Sequence, residues 1–461
     1  MSFPTYPAYK DSGVEWLGEV PEHWAIFSLK RSVDGCTNGL WGDEPDGEND
    51  LAVIRVADFD RAICRVGLDK LTYRSITQKE RASRLLQSGD LLIEKSGGGE
   101  KTLVGCVVLF EHDFEAITSN FVARMRPLHG FDSRFLCYSF DSLYKGKVNF
   151  PAIKQATGIQ NLDSESYLQE RFCFPTLAEQ TQIARFLNHE TARIDALIEE
   201  QQRLIELLKE KRQAVISRAV TKGLDPTVPM KNSGVEWLGK VPAHWELKKL
   251  RHIGHARNGL TYSPEDVVDF SDSATLVLRS SNIQKARISL EDNVYVEKRI
   301  PEALRVREGD LLICSRNGSR ALIGKNALIP KELDGQSFGA FMMVFRSGVN
   351  EFIYWVLNSP IFDYQSSTFL TATINQLTNE NLGGMLAPFP PSAEQAEIVL
   401  FLTEKSQEID ILISEVQGGV ELLYERRSAL ISAAVTGKID VRGWQPPTNT
   451  QAPELAVAEA V

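Results

Sequence analysis

The sequence predicts an α+β fold: two mixed α/β domains separated by two long helices that form an antiparallel coiled coil, in an internal pseudo-two-fold repeat. Three observations predict it. Residues 10–24, KDSGVEWLGEVPEHW, recur at 231–245 as KNSGVEWLGKVPAHW, differing only at Asp11/Asn232, Glu19/Lys240 and Glu22/Ala243. Chance does not produce such a match, and repeats decide architecture ahead of any secondary-structure reading. Both copies then carry β-branched apolar runs broken by Gly-rich turns, the pattern of strands. Both close on a long stretch whose apolar residues step by four and three, the pattern of a helix with a packed seam.

The smaller matches extend the repeat. Gly89-Asp90-Leu91-Leu92-Ile93 returns as Gly309-Asp310-Leu311-Leu312-Ile313, and Ala178-Glu179-Gln180 as Ala393-Glu394-Gln395. The copies cover about 10–225 and 231–440, joined by the Gly- and Pro-rich GLDPTVPMKNSG at 223–234. Expected strands are LAVIRVADF (51–59), GDLLIEKS (89–96), LVGCVVLF (103–110) and their counterparts TLVLRSSNI, GDLLICSR and ALIGKNALI. Amphipathic SRFLCYSFDSLY (133–144) and VNEFIYWVLNSP (349–360) are expected helices. The expected boundaries are a first domain at 1–176, a helix at 177–222, linker and second domain at 223–391, a helix at 392–436, and a disordered tail at 437–461. The tail composition from Gln445 onward suits disorder.

The seam of the first long helix reads Ile183, Leu187, Glu190, Ile194, Leu197, Gln201, Leu204, Leu208, Lys211, Val215 and Arg218. The second repeats it with Ile398, Leu402, Lys405, Ile409, Leu412, Val416, Gly419, Leu423, Arg426, Leu430 and Ala433. Heptads sustained this long favour a coiled-coil partner over two unrelated surface helices. The polar exceptions favour antiparallel pairing about Gln201 and Val416. Glu190 then approaches Arg426 or Arg427 and Lys211 approaches Glu404, whereas a parallel pair would oppose Lys211 to Arg426.

With 461 residues and 43% hydrophobic content the chain can bury several cores. No window resembles a membrane span and the N-terminus has no signal-peptide layout, so a soluble, cytoplasmic chain is expected. Cys36, Cys64, Cys106, Cys137, Cys173 and Cys314 form no C-x-x-C pair, which argues against a disulfide framework and a zinc knuckle. A net charge of −10 argues against non-specific coating of DNA. Any nucleic-acid contact must then concentrate its cations locally.

In combination the motifs resemble the specificity subunit of Type I restriction-modification enzymes. They are SGVEWLGxVPxHW in both copies, the GDLL strand-turn, and FPxxAEQ at the start of each long helix (Phe174-Pro175 to Gln180, Phe389-Pro390 to Gln395). The helix ends Ala434 to Asp440 and Ala219 to Asp225 complete the set. The resemblance covers nearly the whole chain apart from the last twenty or so residues. It implies two target recognition domains, each reading one half of a bipartite asymmetric DNA site, with the paired helices setting the spacing. Those helices would also dock two methyltransferase subunits, which supply S-adenosylmethionine-dependent adenine methylation, and motor/nuclease subunits would join that core. S-adenosylmethionine, ATP and Mg are accordingly expected on partner subunits, with no cofactor, metal or membrane bound by this chain. Gly97-Gly98-Gly99 stands where the second copy has Arg316-Asn317-Gly318, so the two domains should not read the same bases.

The residues themselves offer no catalytic alternative. A DNA amino-methyltransferase needs a [DN]-P-P-[YF] loop and a Gly-rich cofactor loop, and the only Pro-Pro pairs are in FPPS and QPPT. The phosphate-loop lookalike Gly318 to Asn326 has the wrong glycine spacing and lacks the hydroxyl residue after its lysine. The acidic run DEPDGEND (43–50) reads as a solvated turn. His23 and His244, beside Trp24 and Trp245, read as structural. Base readout needs forked donors or amides, and phosphate anchoring needs Lys, Arg, Ser or backbone N–H groups. The turns after the GDLL strands offer both: Lys95, Ser96 and Lys101 in the first copy, Ser315, Arg316, Asn317 and Arg320 in the second. Secondary candidates are Arg55 with Asp58, and Arg279 with Ser280 and Asn282, which end matching strands. The loops 157–161, with Gln160, and 373–376, with Asn375, complete them, with Lys145 and Lys154 adding charge. The alternative class is a scaffold whose coiled coil joins protein partners without reading DNA, and selective DNA retardation separates the two.

Overall fold

Packing the apolar runs of the sequence produces two units, each built from one copy's globular residues and a part of both long helices. The computed structural model describes residues 3–97, 102–156, 158–369 and 376–447. Unit one comprises Met1–Gln201 with Gly419–Val461, and unit two Gln202–Gly418. The unit boundary therefore falls within each long helix rather than at its start.

In unit one the central six-stranded sheet runs in the order Thr37–Asn38, Val122–Met125, Leu91–Glu94, Val107–Leu109, Arg65–Val66, Phe59–Asp60. Its middle strands are buried throughout and apolar except at Glu94 and Arg124, as expected for strands covered on two sides. One face belongs to the core with Phe135, Leu136 and Phe140 of the Ser133–Lys145 helix. The other packs on Ala52, Ile54 and Phe110. Unit two repeats the scheme with a four-stranded sheet in the order His255–Asn258, Met342–Arg346, Leu311–Cys314, Asn326–Leu328. Asn350–Leu357 is the helix equivalent to Ser133–Lys145.

The repeated motifs have structural work. Asp90 and Asp310 of the Gly-Asp-Leu-Leu turns are buried, and each takes a two-pronged ion pair from the arginine ending the neighbouring strand. Arg126 donates to Asp90 at 2.7 and 2.7 Å, and Arg346 to Asp310 at 2.7 and 2.5 Å. Glu179 of the first Ala-Glu-Gln accepts from Trp24 Nε1 at 3.1 Å and Tyr6 Oη at 2.7 Å, and lies 2.9 Å from His23. Glu394 lies 2.7 Å from His244. The histidines therefore join each opening motif to the long helix that follows its domain.

The expected strands are shorter than the apolar runs. The run 51–59 is split into Asp50–Ile54 and a second strand that starts at Phe59, because Arg55 N–H donates to the Asp58 carboxylate at 2.8 Å and closes a 3-10 turn. The run 275–283 breaks likewise where Arg279 N–H donates to Asn282 at 2.9 Å. Gly105 (φ +103°) ends the pairing of the run 103–110, whose strand is Val107–Leu109. Five cysteines are buried and Cys36 half-buried, and burial pushes the Cys106 thiol up to about 12.

The long helices span Leu177–Lys222 and Ser392–Val435. Within each unit their segments run antiparallel. In unit one Gln182 donates to the Val441 carbonyl beyond the second helix at 3.0 Å, while Asp195, further along, meets Arg427, further back, at 2.8 Å. In unit two Gly223 lies beside Glu394, and Arg212 meets Asp410 at 3.7 Å. Asp195 and Asp410 are repeat equivalents, as are Arg427 and Arg212, so one ion pair occurs twice. These pairs replace the expected Glu190–Arg426/Arg427 and Lys211–Glu404 contacts; Glu190 instead pairs with Arg193 of its own helix.

The seam also differs from a heptad. Ile183, Leu187 and Ile194 are buried as expected, but Ile198 and Ile205 are buried while Leu197 and Leu204 are exposed. On the second helix Ile398, Leu402 and Ile409 are buried, Leu412 is exposed, and Ser406 and Arg427 take the places expected of Lys405 and Arg426. Leu208, Val215, Leu423 and Leu430 are half-buried. From Ile183 to Ala219 and from Ile398 to Ala434 the inward residues advance by ~3.6 per step, the period of a straight α-helix, not the ~3.5 of a supercoiled one. The helices are paired as expected, but their inward residues follow the period of an α-helix and not a heptad.

The expected tail is also corrected, because it begins in the core of unit one. Val441 is 1% exposed, and the Trp444 ring packs edge-on against Phe186 at 5.4 Å. Asp440 N–H donates to the Pro4 carbonyl at 2.7 Å. Residues 448–461 lie outside the described residues. Gly437 (φ +73°) ends the second helix where a Cβ would stand 2.3 Å from Pro21 Cδ. Gly437→Ala is therefore expected to destabilise unit one by about 2–3 kcal/mol, combining left-handed strain with a backbone shift. Gly234→Ala (φ +77°, open space) should cost about 1 kcal/mol, and urea unfolding of the two variants measures the difference.

Candidate nucleic-acid interface

In unit two the strand Leu311–Cys314 ends in a sharp corner. Ser315 and Arg316 N–H both donate to the Phe341 carbonyl, at 3.0 and 3.1 Å, which turns the chain outward. Arg316 is exposed, its guanidinium 5.4 Å from the Phe341 ring centroid. A ring beneath a guanidinium limits its orientations and leaves its forked edge free. Asn317 Nδ2 donates to Ser280 Oγ at 3.3 Å, and its Oδ1 accepts Ser319 N–H at 3.0 Å. Arg320 is exposed, and Lys325 Nζ donates to the Ser280 carbonyl at 3.4 Å. Among the described residues neither Arg316 nor Arg320 forms an ion pair.

The corner of unit one uses the same bonds with different side chains. Lys95 and Ser96 N–H donate to the Phe121 carbonyl at 2.8 and 3.3 Å. By this equivalence Ser96, not Gly97, stands where Arg316 stands, and Gly97 matches Asn317; the expected alignment is corrected by one residue. Lys95 Nζ donates to Asn38 Oδ1 at 2.9 Å and Ser96 Oγ to Asn161 Oδ1 at 2.5 Å. The hairpin Ile153–Ala156 with Ile159–Leu162 extends this corner through the Ser96–Asn161 pairing.

The remaining candidates divide by their surroundings. Arg55 is held in two prongs by Asp58 (2.8 and 3.2 Å), which keeps its guanidinium above the ordinary value, and it also donates to the Lys70 carbonyl. Arg279 pairs with Asp292 at 2.8 Å. Asn282 is fully buried, its amide donating to the Ser289 and Asp292 carbonyls and to Asn293. Ser315 is buried and donates to the Phe341 carbonyl, and Gln160 is buried and accepts Val104 N–H at 3.1 Å. Their polar groups hold the corners in shape. Lys145 pairs with Asp141 and Lys154 with Asp163, both at 2.7 Å. Lys101, Asn375, Gly98, Gly99, Thr157 and Thr373 lie outside the described residues.

The geometry thus brings together Lys95 and Ser96 at one corner and Arg316, Asn317 and Arg320 at the other. Reasoning from the sequence missed Phe121 and Phe341, although each follows its buried aspartate, Asp90 or Asp310, at the same interval. Among the described residues no group of three or more His, Cys, Asp or Glu side chains is placed to hold a metal ion. No helix there is long and apolar enough to cross a membrane.

Comparison with known proteins places this geometry in context. No family model matches the chain. It is 24% identical over 376 residues, 79% of its length and 77% of the relative's, to the Type I restriction enzyme EcoKI specificity subunit of Escherichia coli K12. It is 24% identical over 317 residues, 66% of this chain and 70% of the relative, to the Type I restriction enzyme MjaVIII specificity subunit of Methanocaldococcus jannaschii. Among solved structures, a chain from work on complex assembly and conformational transition of the type I R-M system superposes with a TM-score of 0.64 at 16% identity, covering 90% of this chain and 98% of that one.

Proposed function

We infer that this chain is the DNA specificity subunit of a Type I restriction-modification enzyme, a non-catalytic reader in a methyltransferase and endonuclease complex. The observation that carries the reading is the duplicated corner, set on a duplicated antiparallel helix pairing. One fold presents two different sets of polar side chains, the half-buried Lys95 and Ser96 in one copy and the exposed Arg316 and Arg320 with the half-buried Asn317 in the other. Equivalent scaffolds with unlike contact residues are what reading two unlike half-sites requires.

The finer assignments are part of the proposal. Each domain reads one half of a bipartite asymmetric site, and the paired helices set the spacing and dock two methyltransferase subunits. Motor/nuclease subunits join through that core. S-adenosylmethionine, ATP and Mg are bound by those partners, and the complex works in the cytoplasm. The resemblance of the motifs and the likeness to named specificity subunits support this arrangement. The net charge of −10 supports dependence on partners, because a chain of this charge has few cations to spare for phosphate.

A gel shift with the reconstituted methyltransferase core tests the reading. Retardation should be sequence-selective and should weaken steeply with salt. Retardation that ignores sequence would favour a scaffold instead. A second expected result concerns the source of activity. The purified chain alone should neither bind S-adenosylmethionine, measured by calorimetry, nor transfer tritiated methyl groups to DNA, and transfer by the isolated chain would overturn the assignment.

A further inference from the structure

Phe121 and Phe341 are large apolar side chains left 51% and 61% exposed at equivalent corners of the two units. A single exposed phenylalanine is ordinary on a protein surface. Two at matching repeat positions, each locked by its own carbonyl to the turn that follows the Gly-Asp-Leu-Leu strand, call for a common cause. That carbonyl takes the paired N–H groups of Lys95 and Ser96 in one unit and of Ser315 and Arg316 in the other, so the ring travels with the polar turn.

The surroundings indicate what each ring meets. Beside Phe341 stands the exposed cation Arg316, and the exposed Arg320 follows four residues later, neither in an ion pair among the described residues. Beside Phe121, the rings of Trp41 and Phe121 with Arg55 and Asn120 line an open cleft of about 430 Å³. Ser119, 1% exposed, lines the same cleft, and its hydroxyl has no hydrogen-bond partner among the described residues. An apolar ring beside an unpaired cation in unit two, and beside an orphan buried hydroxyl in unit one, suits a partner that is anionic outside and flat and partly apolar within. Duplex DNA is such a partner. A phenylalanine ring makes no hydrogen bond, so in a groove its contribution to readout is apolar contact, above all with the C5 methyl of thymine.

We propose that Phe121 and Phe341 are base contacts, each packing its ring against the C5 edge of a pyrimidine in its own half-site. The proposal rests on the DNA-reading function inferred above and adds two residues and a chemical preference to it. Arg316 then reads or anchors beside a methyl-sensing ring, and Lys95 does the same in the other unit.

Photo-crosslinking tests this in the full complex with methyltransferase subunits. Duplexes carrying the target are made with 5-iodouracil or 5-iodocytosine at each pyrimidine in turn, irradiated, and the joined residue mapped by mass spectrometry. The expected result is a crosslink to Phe121 from a position in one half-site and to Phe341 from a position in the other. Phe121→Leu and Phe341→Leu, which keep apolar bulk at an exposed site, should each lose their own crosslink only. Replacing thymine by uracil at the crosslinked position should weaken wild-type binding several-fold and leave the matching leucine variant much less affected. If the wild-type complex selects its target but neither ring crosslinks, the proposal fails while the DNA-reading function stands. A crosslink to one ring alone contradicts the equivalence of the corners and also overturns it. If the wild-type complex shows no sequence selection, the underlying function falls with it.

Discussion

Replacing Asp195 with alanine is expected to lower the stability of unit one by about 3–5 kcal/mol, the range for leaving a buried charge without its partner. Arg427 is 4% exposed at its side chain and meets Asp195 at 2.8 Å, so loss of the carboxylate strands a guanidinium away from water. Arg427→Ala should cost less, about 2–3 kcal/mol, because Asp195 is 29% exposed and water can solvate it. The repeat supplies an internal control. Arg212 and Asp410 are the equivalent pair in unit two, but they stand 3.7 Å apart with side chains 30% and 40% exposed. Asp410→Ala should therefore cost no more than about 1 kcal/mol. Urea unfolding of the full chain, followed as two transitions, measures both. Equal losses for Asp195→Ala and Asp410→Ala would show that burial does not distinguish the two pairs.

The second large effect is on recognition. The double variant Arg316→Ala, Asn317→Ala should lose about 1–3 kcal/mol of discrimination per base pair contacted, relaxing sequence choice in one half-site and leaving the other unchanged. Arg316 is exposed on its aromatic support and forms no ion pair, so its loss removes little that holds the fold, whereas loss of the Asn317 amide also removes its bonds to Ser280 and Ser319. A phosphate contact would instead weaken all sequences alike and flatten the salt dependence. Binding selections from a randomised duplex library separate these outcomes. An unchanged selection would remove this corner from the interface.

Both effects concern residues whose roles were legible in the sequence to different degrees. The long helices were legible because their apolar residues step by four and three after Pro175 and Pro390, and they are observed to start at Leu177 and Ser392. Their facing residues were not, because a heptad template advances ~3.5 residues per step while a straight helix advances ~3.6. Over ten steps that difference moves the seam by one residue, from Arg218 to Ala219 on the first helix and from Ala433 to Ala434 on the second. The Asp195–Arg427 pair could still have been found, since Ile194-Asp195 and Ile409-Asp410 are identical pairs at equivalent positions.

The candidate contacts show a similar division. Arg55 and Arg279 ended apolar runs and so looked available for DNA. Each in fact opens a tight turn with an Asp or Asn three residues on, the spacing of a capping motif. That spacing is visible in R-V-A-D and R-S-S-N. Nothing local distinguishes Ser315 or Gln160, which are buried by strands distant in the sequence. That Arg316 and Arg320 stand without ion pairs among the described residues was legible because their turn carries no acidic residue near them.

The central claim is that one chain carries two independent readers on one duplicated scaffold. Mapping methylated adenines across the genome tests it most directly, in cells carrying the complex with the wild-type chain, with the Arg316→Ala, Asn317→Ala variant, or without the chain. The account predicts a bipartite motif with an unspecified gap for the wild type, the same motif degenerate in one half only for the variant, and no such methylation without the chain. A motif that persists when the chain is absent, or that degenerates in both halves together, would contradict it.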